Sequence, residues 1–276
     1  MSGRIDPPTR PAVRVTLGQL SVSADHAANR IAVVDALRAA ARARADLLVL
    51  PEYASGFDPR GVGPEHAEPL HGPFVTTLRE HAAKSGVAVV AGAMLPGATP
   101  ARGVNAVVAV DRTGALVGMY RKVHLYDAFG HRESDRLEAG PADAPPLLLD
   151  IGGLRFGVLT CYDLRFPESA RRLVDAGAQV LVVPAAWAAG ELKALHWRTL
   201  AIARAIENTA AVVAVGQAGR GVVGRSLLVA PDGVVGLELD DQPGIRTADI
   251  DGAALAAVRE RNPSLRHRRY GVVPLD

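Results

Sequence analysis

Cysteine is almost absent from this chain of 276 residues, since Cys161 is the only one. A single cysteine excludes an intramolecular disulfide and any metal site built from several thiolates. The eight histidines show no pair at the spacing of helical metal ligands, so we expect no metal site. A lone cysteine after an apolar segment is most often a small buried hydrophobe, and a catalytic interpretation of Cys161 therefore depends on its neighbours.

Lysine is also scarce, because only three of the 31 Lys and Arg side chains are lysine: Lys84, Lys122 and Lys193. A compact ammonium that must approach a reacting centre cannot be replaced by the broad guanidinium group, so each lysine needs an explanation. The formal net charge of +2 gives no strong field for nucleic acid or an anionic membrane. We therefore expect neither of those partners.

Long apolar runs are missing too. None approaches the roughly 18 residues of a membrane span, and residues 1–11 carry charges and prolines without the apolar core of a signal peptide. These features favour the cytoplasm. No linker interrupts the pattern, so we expect a single domain, 1–276, with a flexible segment at 1–11. We expect the Arg-rich C-terminal tail, 262–276, to pack on a neighbouring subunit.

Hydrophobic periodicity predicts alternating strands and helices. The predicted strands are 12–20, 45–50, 87–94, 104–111, 116–125, 147–150, 154–160, 179–184, 209–216, 226–230, 234–239 and 245–249. The predicted helices are 27–44, 73–85, 167–176, 192–208 and 252–261. On the first helix, Ile31, Val34 and Leu37 form the expected apolar stripe.

One pattern occurs twice. Segments 43–52 and 176–185 both run from a helix end through an apolar strand to a proline. Two related halves predict two sheets that face each other, with helices outside. The expected fold is therefore a four-layer αββα sandwich of the α+β class.

Three reactive side chains, Glu52, Lys122 and Cys161, lie in or directly after predicted strands. Cys161 falls between a strand and the helix that opens at Pro167, where unpaired backbone N–H groups favour a thiolate and an oxyanion. A thiol that attacks a carbonyl needs a base, an oxyanion donor and an acid for the leaving nitrogen. Glu52 can act as base and then as acid, while Lys122 and the Tyr162 N–H can hold the oxyanion.

The segments around these residues resemble the Glu–Lys–Cys signature of the nitrilase superfamily of carbon–nitrogen hydrolases. They read Leu-Pro-Glu at 50–52, Arg-Lys-Val-His-Leu at 121–125 and Cys-Tyr-Asp-Leu-Arg-Phe-Pro-Glu at 161–168. The resemblance implies an αββα fold, a thioester acyl-enzyme on Cys161, and no metal or organic cofactor. It further implies that Glu133 orients Lys122, and that the protein forms a homodimer or a larger homo-oligomer.

Segment 161–168 is similar to the amidase branch that includes ω-amidases and deaminated-glutathione amidases. The Trp-Glu that usually follows the cysteine of true nitrilases is absent, and so is the Asn-Asp-Arg-Arg-like run of N-carbamyl-amino-acid hydrolases. The resemblance therefore implies hydrolysis of a small linear amide, a carboxylate-bearing ω-amide, with release of ammonia.

Four residues are candidates for substrate binding. Arg165 matches one of two arginines that bind the substrate carboxylate in N-carbamyl-amino-acid hydrolases, although an ion pair that braces the turn is an equal alternative. Tyr162 follows the nucleophile, Trp187 is expected to form a pocket wall, and Tyr53 is expected at the mouth. Core packing is the alternative for Trp187 and Tyr53.

Two other functions stay open. A nitrile or N-carbamoyl hydrolase could use the same Glu–Lys–Cys site, and a binding or scaffold protein could retain the fold without turnover. The presence of all three reactive residues argues against a scaffold.

Overall fold

The structure is a computed structural model that describes residues 12–275. The predicted flexible segment 1–11 and the last residue of the tail lie outside the described residues. The strands are β1 Val13–Gln19, β2 Leu47–Val49, β3 Ala88–Pro96, β4 Gly103–Val110, β5 Leu116–Arg121, β6 Leu148–Ile151, β7 Leu154–Val158, β8 Val180–Ala185, β9 Ala211–Gly216, β10 Leu227–Val229, β11 Val235–Glu238 and β12 Gly244–Ile250. The helices are α1 His26–Arg42, α2 Pro73–Ser85, α3 Pro167–Asp175, α4 Lys193–Asn208, α5 Gly252–Arg261 and α6 Ser264–His267.

The strands form two six-stranded sheets, in the orders β12-β1-β2-β3-β4-β5 and β11-β10-β9-β8-β7-β6. Each sheet has three parallel strands at its centre and antiparallel strands outside them. The repeated helix–strand–proline pattern in the sequence corresponds to β2 and β8, which occupy equivalent places in the two sheets.

Side chains alternate along the central strands and so divide the core into layers. Leu47 and Val49 face the second sheet, whereas Leu48 and Leu50 face α1 and α2. The outer face of the second sheet packs on α3 and α4 in the same way. The predicted four-layer αββα sandwich, within one domain of the α+β class, is therefore confirmed.

The predicted stripe on α1 is wrong in part, because Ile31 is 65% exposed. The buried face runs instead through Val33, Ala36, Leu37 and Ala40. Two alanines, Ala36 and Ala40, thus lie on the buried face of the helix, and this face is rotated away from Ile31.

The segments that carry four of the candidate site residues each follow the end of a strand. β2 leads to Glu52, β5 to Lys122, β7 to Cys161 and β8 to Trp187. The predicted strand 116–125 ends earlier, at Arg121, and the Lys122 N–H donates to the Asn105 carbonyl at 2.9 Å.

The described part of the C-terminal tail contacts its own subunit. Arg268 forms an ion pair with Asp175 at the end of α3. Residues 272–275 border a groove beside α3, where Val273 and Leu275 are 76% and 91% exposed. None of the helices among residues 12–275 has the length and apolar character that crossing a membrane requires.

Candidate active site

Glu52, Lys122 and Glu133 form one buried ionic cluster. The Lys122 ammonium lies 2.9 Å from a carboxylate oxygen of Glu52 and 2.9 Å from one of Glu133. Lys122 and Glu52 are each 1% exposed. The structure thus brings Glu52 to within ion-pair distance of Lys122, 70 residues later in the sequence.

Glu52 is held by donors on both carboxylate oxygens. Its Oε1 accepts from Lys122 Nζ and from Asn105 Nδ2 at 2.7 Å, and its Oε2 accepts from the Ala186 N–H at 2.7 Å. Buried carboxylates need such donors because they have lost their water. The carboxylate is therefore fixed from both sheets, since Asn105 lies on β4 and Ala186 follows β8.

Glu133 is held as firmly. It accepts from Lys122, from the Tyr53 hydroxyl at 2.9 Å and from the Tyr126 N–H at 2.8 Å. Tyr53 thus uses its hydroxyl to position Glu133. Tyr53 also borders the cavity and is 3% exposed, so its substrate-binding role stays a prediction.

Lys122 stays charged in this environment. Burial by itself lowers the pKa of the ammonium, but Glu133 and Glu52 outweigh that effect and raise the pKa well above its usual value. A permanent cation next to Cys161 is suited to stabilising negative charge on a substrate oxygen.

Cys161 begins a 3₁₀ turn, Cys161–Arg165, with a left-handed backbone conformation at φ = 46°. Burial raises the pKa of the Cys161 thiol well above its usual value. The negative charge of Glu52 adds to this effect, while the positive charge of Lys122 opposes it. Burial and the Glu52 charge thus favour the protonated thiol, against the thiolate that the strand–helix turn was expected to favour.

Asp163 ties the nucleophile turn to the lysine segment. Its fully buried carboxylate accepts from the Thr160 N–H, the Tyr120 hydroxyl, and both the N–H and Nδ1 of His124, at 2.8–3.1 Å. His124 follows Lys122 by two residues, and Thr160 directly precedes Cys161. One carboxylate thus fixes the two segments relative to each other.

Gly92 on β3 makes room for the backbone of Glu52. A Cβ atom at this position would lie 2.4 Å from the Glu52 Cα. We expect Gly92→Ala to lower kcat at least about 10²-fold, because a shift of about 1 Å in a catalytic group has that effect. Steady-state kinetics would check this, with Gly271→Ala as the control, since a Cβ at Gly271 meets no atom within 4 Å. Unchanged kcat in Gly92→Ala would contradict it.

A cavity of about 290 Å³ leads to this cluster and is bordered by Glu52, Glu133 and Cys161. Lys122 lies behind its wall. The predicted binding residues Tyr162, Arg165 and Trp187 also line the cavity. Trp187 forms part of the cavity wall and also packs in the core. It is 4% exposed, and its indole N–H donates to the Lys193 carbonyl.

The sequence matches the Carbon-nitrogen hydrolase family over residues 14–260. This chain belongs to that family. It is 36% identical to the deaminated glutathione amidase of Escherichia coli O157:H7 over 258 residues, which cover 93% of this chain and 97% of the relative. The predicted membership of the nitrilase superfamily and its amidase branch is confirmed.

Solved structures of carbon–nitrogen hydrolases have the same fold as this chain. A CN-hydrolase superfamily protein from Xanthomonas campestris, which carries an arsenic adduct in its active site, superposes with a TM-score of 0.85 at 30% identity, covering 96% of this chain and all of the other. An amidase from Nesterenkonia sp. superposes with a TM-score of 0.77 at 28% identity, covering 98% and 100%. In that amidase variant, the acetamide moiety of fluoroacetamide is added covalently at the active-site cysteine.

In this carbon–nitrogen hydrolase, the sequence analysis missed three residues at the site. Asn105 is the only polar side chain on β4, and that isolated position is a signal. For Lys193 the one signal is that lysine is scarce in this sequence. Tyr126 lies in a Gly- and Pro-rich loop that gives no periodic signal. No group of three or more His, Cys, Asp or Glu side chains within residues 12–275 is arranged to hold a metal ion.

Proposed function

We propose that this carbon–nitrogen hydrolase cleaves the C–N bond of a small linear amide through a thioester on Cys161 and releases ammonia. Family membership makes the protein an enzyme that acts on amides. The observation that carries the mechanism is that Glu52, Glu133 and Cys161 line one cavity, while Lys122 behind its wall is ion-paired with both glutamates.

In the first half-reaction, the Cys161 sulfur attacks the amide carbon and its proton passes to Glu52. The carbonyl oxygen becomes an oxyanion, which Lys122 and the Tyr162 N–H stabilise. Glu52 then gives the proton to the nitrogen, the C–N bond breaks and ammonia leaves. A raised thiol pKa fits this order, because the proton moves only as the sulfur attacks.

In the second half-reaction, Glu52 removes a proton from a water molecule that attacks the thioester carbon. The C–S bond breaks, the proton returns to sulfur and the acid leaves. Glu133 does not exchange a proton in this scheme. It holds Lys122 by an ion pair and is itself held by Tyr53 and Tyr126.

The proposed substrate is a carboxylate-bearing ω-amide. Relatives from Escherichia coli and Bos taurus are named deaminated glutathione amidase, and Arg165 lines the cavity as a candidate anchor for the carboxylate. No carboxylate within residues 12–275 forms an ion pair with Arg165, so the alternative of a turn-bracing pair finds no support. Tyr162 and Trp187 form the neighbouring walls.

We further propose that one domain, 1–276, assembles into a homodimer or larger homo-oligomer, with the C-terminal tail 262–276 at the interface. The exposed apolar residues of the tail, Val273 and Leu275, support this proposal. Size-exclusion chromatography with light scattering, on the full chain and on a chain that ends at residue 261, would test it. The cytoplasmic location stays a prediction.

Ammonia release from purified protein tests the proposed reaction. We expect turnover of ω-amides to exceed that of the matched nitriles and N-carbamoyl compounds, and to fall roughly 10⁴-fold or more in Cys161→Ala. Retained turnover in Cys161→Ala would rule out the mechanism. Faster nitrile or N-carbamoyl turnover would overturn the substrate class.

A further inference from the structure

Lys193 opens α4 and points its ammonium into the cavity that contains Cys161. The residue is only 6% exposed. Its Nζ donates to the Tyr126 hydroxyl at 2.6 Å and lies 3.3 Å from the centre of the Phe129 ring. No carboxylate within residues 12–275 forms an ion pair with it. This buried cation thus has a phenol and an aromatic face, but no counter-charge.

Arg165 is in a similar position. Its Nε atom is buried and has no hydrogen-bond partner among the described residues. Its guanidinium lies 4.9 Å from the Trp187 ring centre and 5.6 Å from that of Phe129, and one of its terminal nitrogens is 3.4 Å from Nδ1 of His196. Arg165 and Lys193 thus approach the same aromatic surface, at Phe129.

The other cations at the cavity differ from these two. Arg60 pairs with Asp58, Arg132 with Asp135 and Arg136 with Glu65. Lys193 and Arg165, in contrast, repel each other. Burial lowers the pKa of Lys193, and the positive charge of Arg165 lowers it further. Two like charges held together without an anion are unfavourable, and a bound anion would relieve the repulsion.

We propose that Lys193 and Arg165 form a carboxylate-binding subsite, which recognises the acid end of the substrate while the amide carbon lies at Cys161. This inference rests on the proposed function and deepens it, because it assigns Lys193 as a specificity-determining residue. One carboxylate oxygen accepts from the ammonium of Lys193 and the other from the guanidinium of Arg165. The buried Trp187 ring beside the Arg165 guanidinium shields it from water and so strengthens its bond to the carboxylate.

A matched pair of amides tests the subsite. Glutaramate (5-amino-5-oxopentanoate) carries the carboxylate, and 5-methylhexanamide has the same shape with a neutral isopropyl group in its place. We expect Lys193→Met to lower kcat/KM for glutaramate about 10- to 100-fold and for 5-methylhexanamide less than about 3-fold. The control is Lys84→Met, which removes an exposed lysine on α2 and should change neither value. An equal fall for both amides would show a structural role for Lys193, and no fall for either would remove it from the binding site.

Binding of glutarate separates this proposal from the proposed reaction. Calorimetry on wild-type protein and Lys193→Met needs no turnover. If the wild-type protein hydrolyses neither amide, the proposed reaction fails, but glutarate binding that weakens at least about 10-fold in Lys193→Met still supports the subsite. Equal glutarate affinity in both proteins would overturn the subsite, whatever the turnover.

Discussion

Glu52→Gln is expected to lower kcat by about 10²- to 10⁴-fold while making Cys161 easier to alkylate at neutral pH. The first effect follows because glutamine cannot carry the proton in either half-reaction. The second follows because the charge of Glu52 raises the pKa of the thiol, while Lys122 lowers it. Without the carboxylate, the Cys161 pKa falls and the thiolate fraction at a given pH rises.

The alkylation rate of Cys161 with iodoacetamide, measured from pH 6 to pH 10, would show this shift. Since Cys161 is the only cysteine, the reaction reports on one site. Glu168→Gln is the matched control, because Glu168 is an exposed carboxylate in the same motif and should leave both kinetics and alkylation unchanged. If the alkylation rate of Glu52→Gln rose at the same pH as in the wild-type protein, or at a higher pH, the assigned effect of Glu52 on the thiol pKa would be contradicted.

Lys122→Met is expected to lower kcat by at least about 10²-fold and the free energy of unfolding by about 3–5 kcal/mol. Methionine removes the oxyanion donor. It also leaves the carboxylates of Glu52 and Glu133 facing each other without the cation that both contact at 2.9 Å. Unpaired buried charges are among the costliest defects in a folded protein.

Urea unfolding and steady-state kinetics on the same preparation would measure both effects. Lys84→Met again serves as the control, because it removes an exposed lysine. A variant with lost turnover but wild-type stability would contradict the picture of Lys122 as the centre of a buried ionic cluster. Lost stability with retained turnover would contradict its role at the oxyanion.

The fold and the three candidate residues Glu52, Lys122 and Cys161 could be predicted from the sequence because each depends on a local sequence pattern. Glu52, Lys122 and Cys161 follow apolar strands, and strands of this kind end together at one edge of a packed sandwich. The repeated helix–strand–proline pattern predicted the two sheets for the same reason, since each copy is a local unit.

What the sequence did not reveal depends on contacts between distant segments. The turn at Cys161 favours a thiolate, whereas burial and the charge of Glu52, neither visible in the sequence, raise the pKa of the thiol. The sequence also gives no sign that the Tyr53 hydroxyl donates to Glu133, 80 residues away. Lys193 stood out only as a rare residue, because its place beside Arg165 depends on how α4 packs against the nucleophile turn.

The most direct test of the central claim is the mass of the protein during its first turnover. After mixing with an ω-amide and rapid acid quenching, we expect an added mass equal to the substrate minus ammonia. Peptide mapping should place it on Cys161, and Cys161→Ala should show none. Ammonia release in the first turnover without an acyl mass on Cys161 would contradict the thioester mechanism.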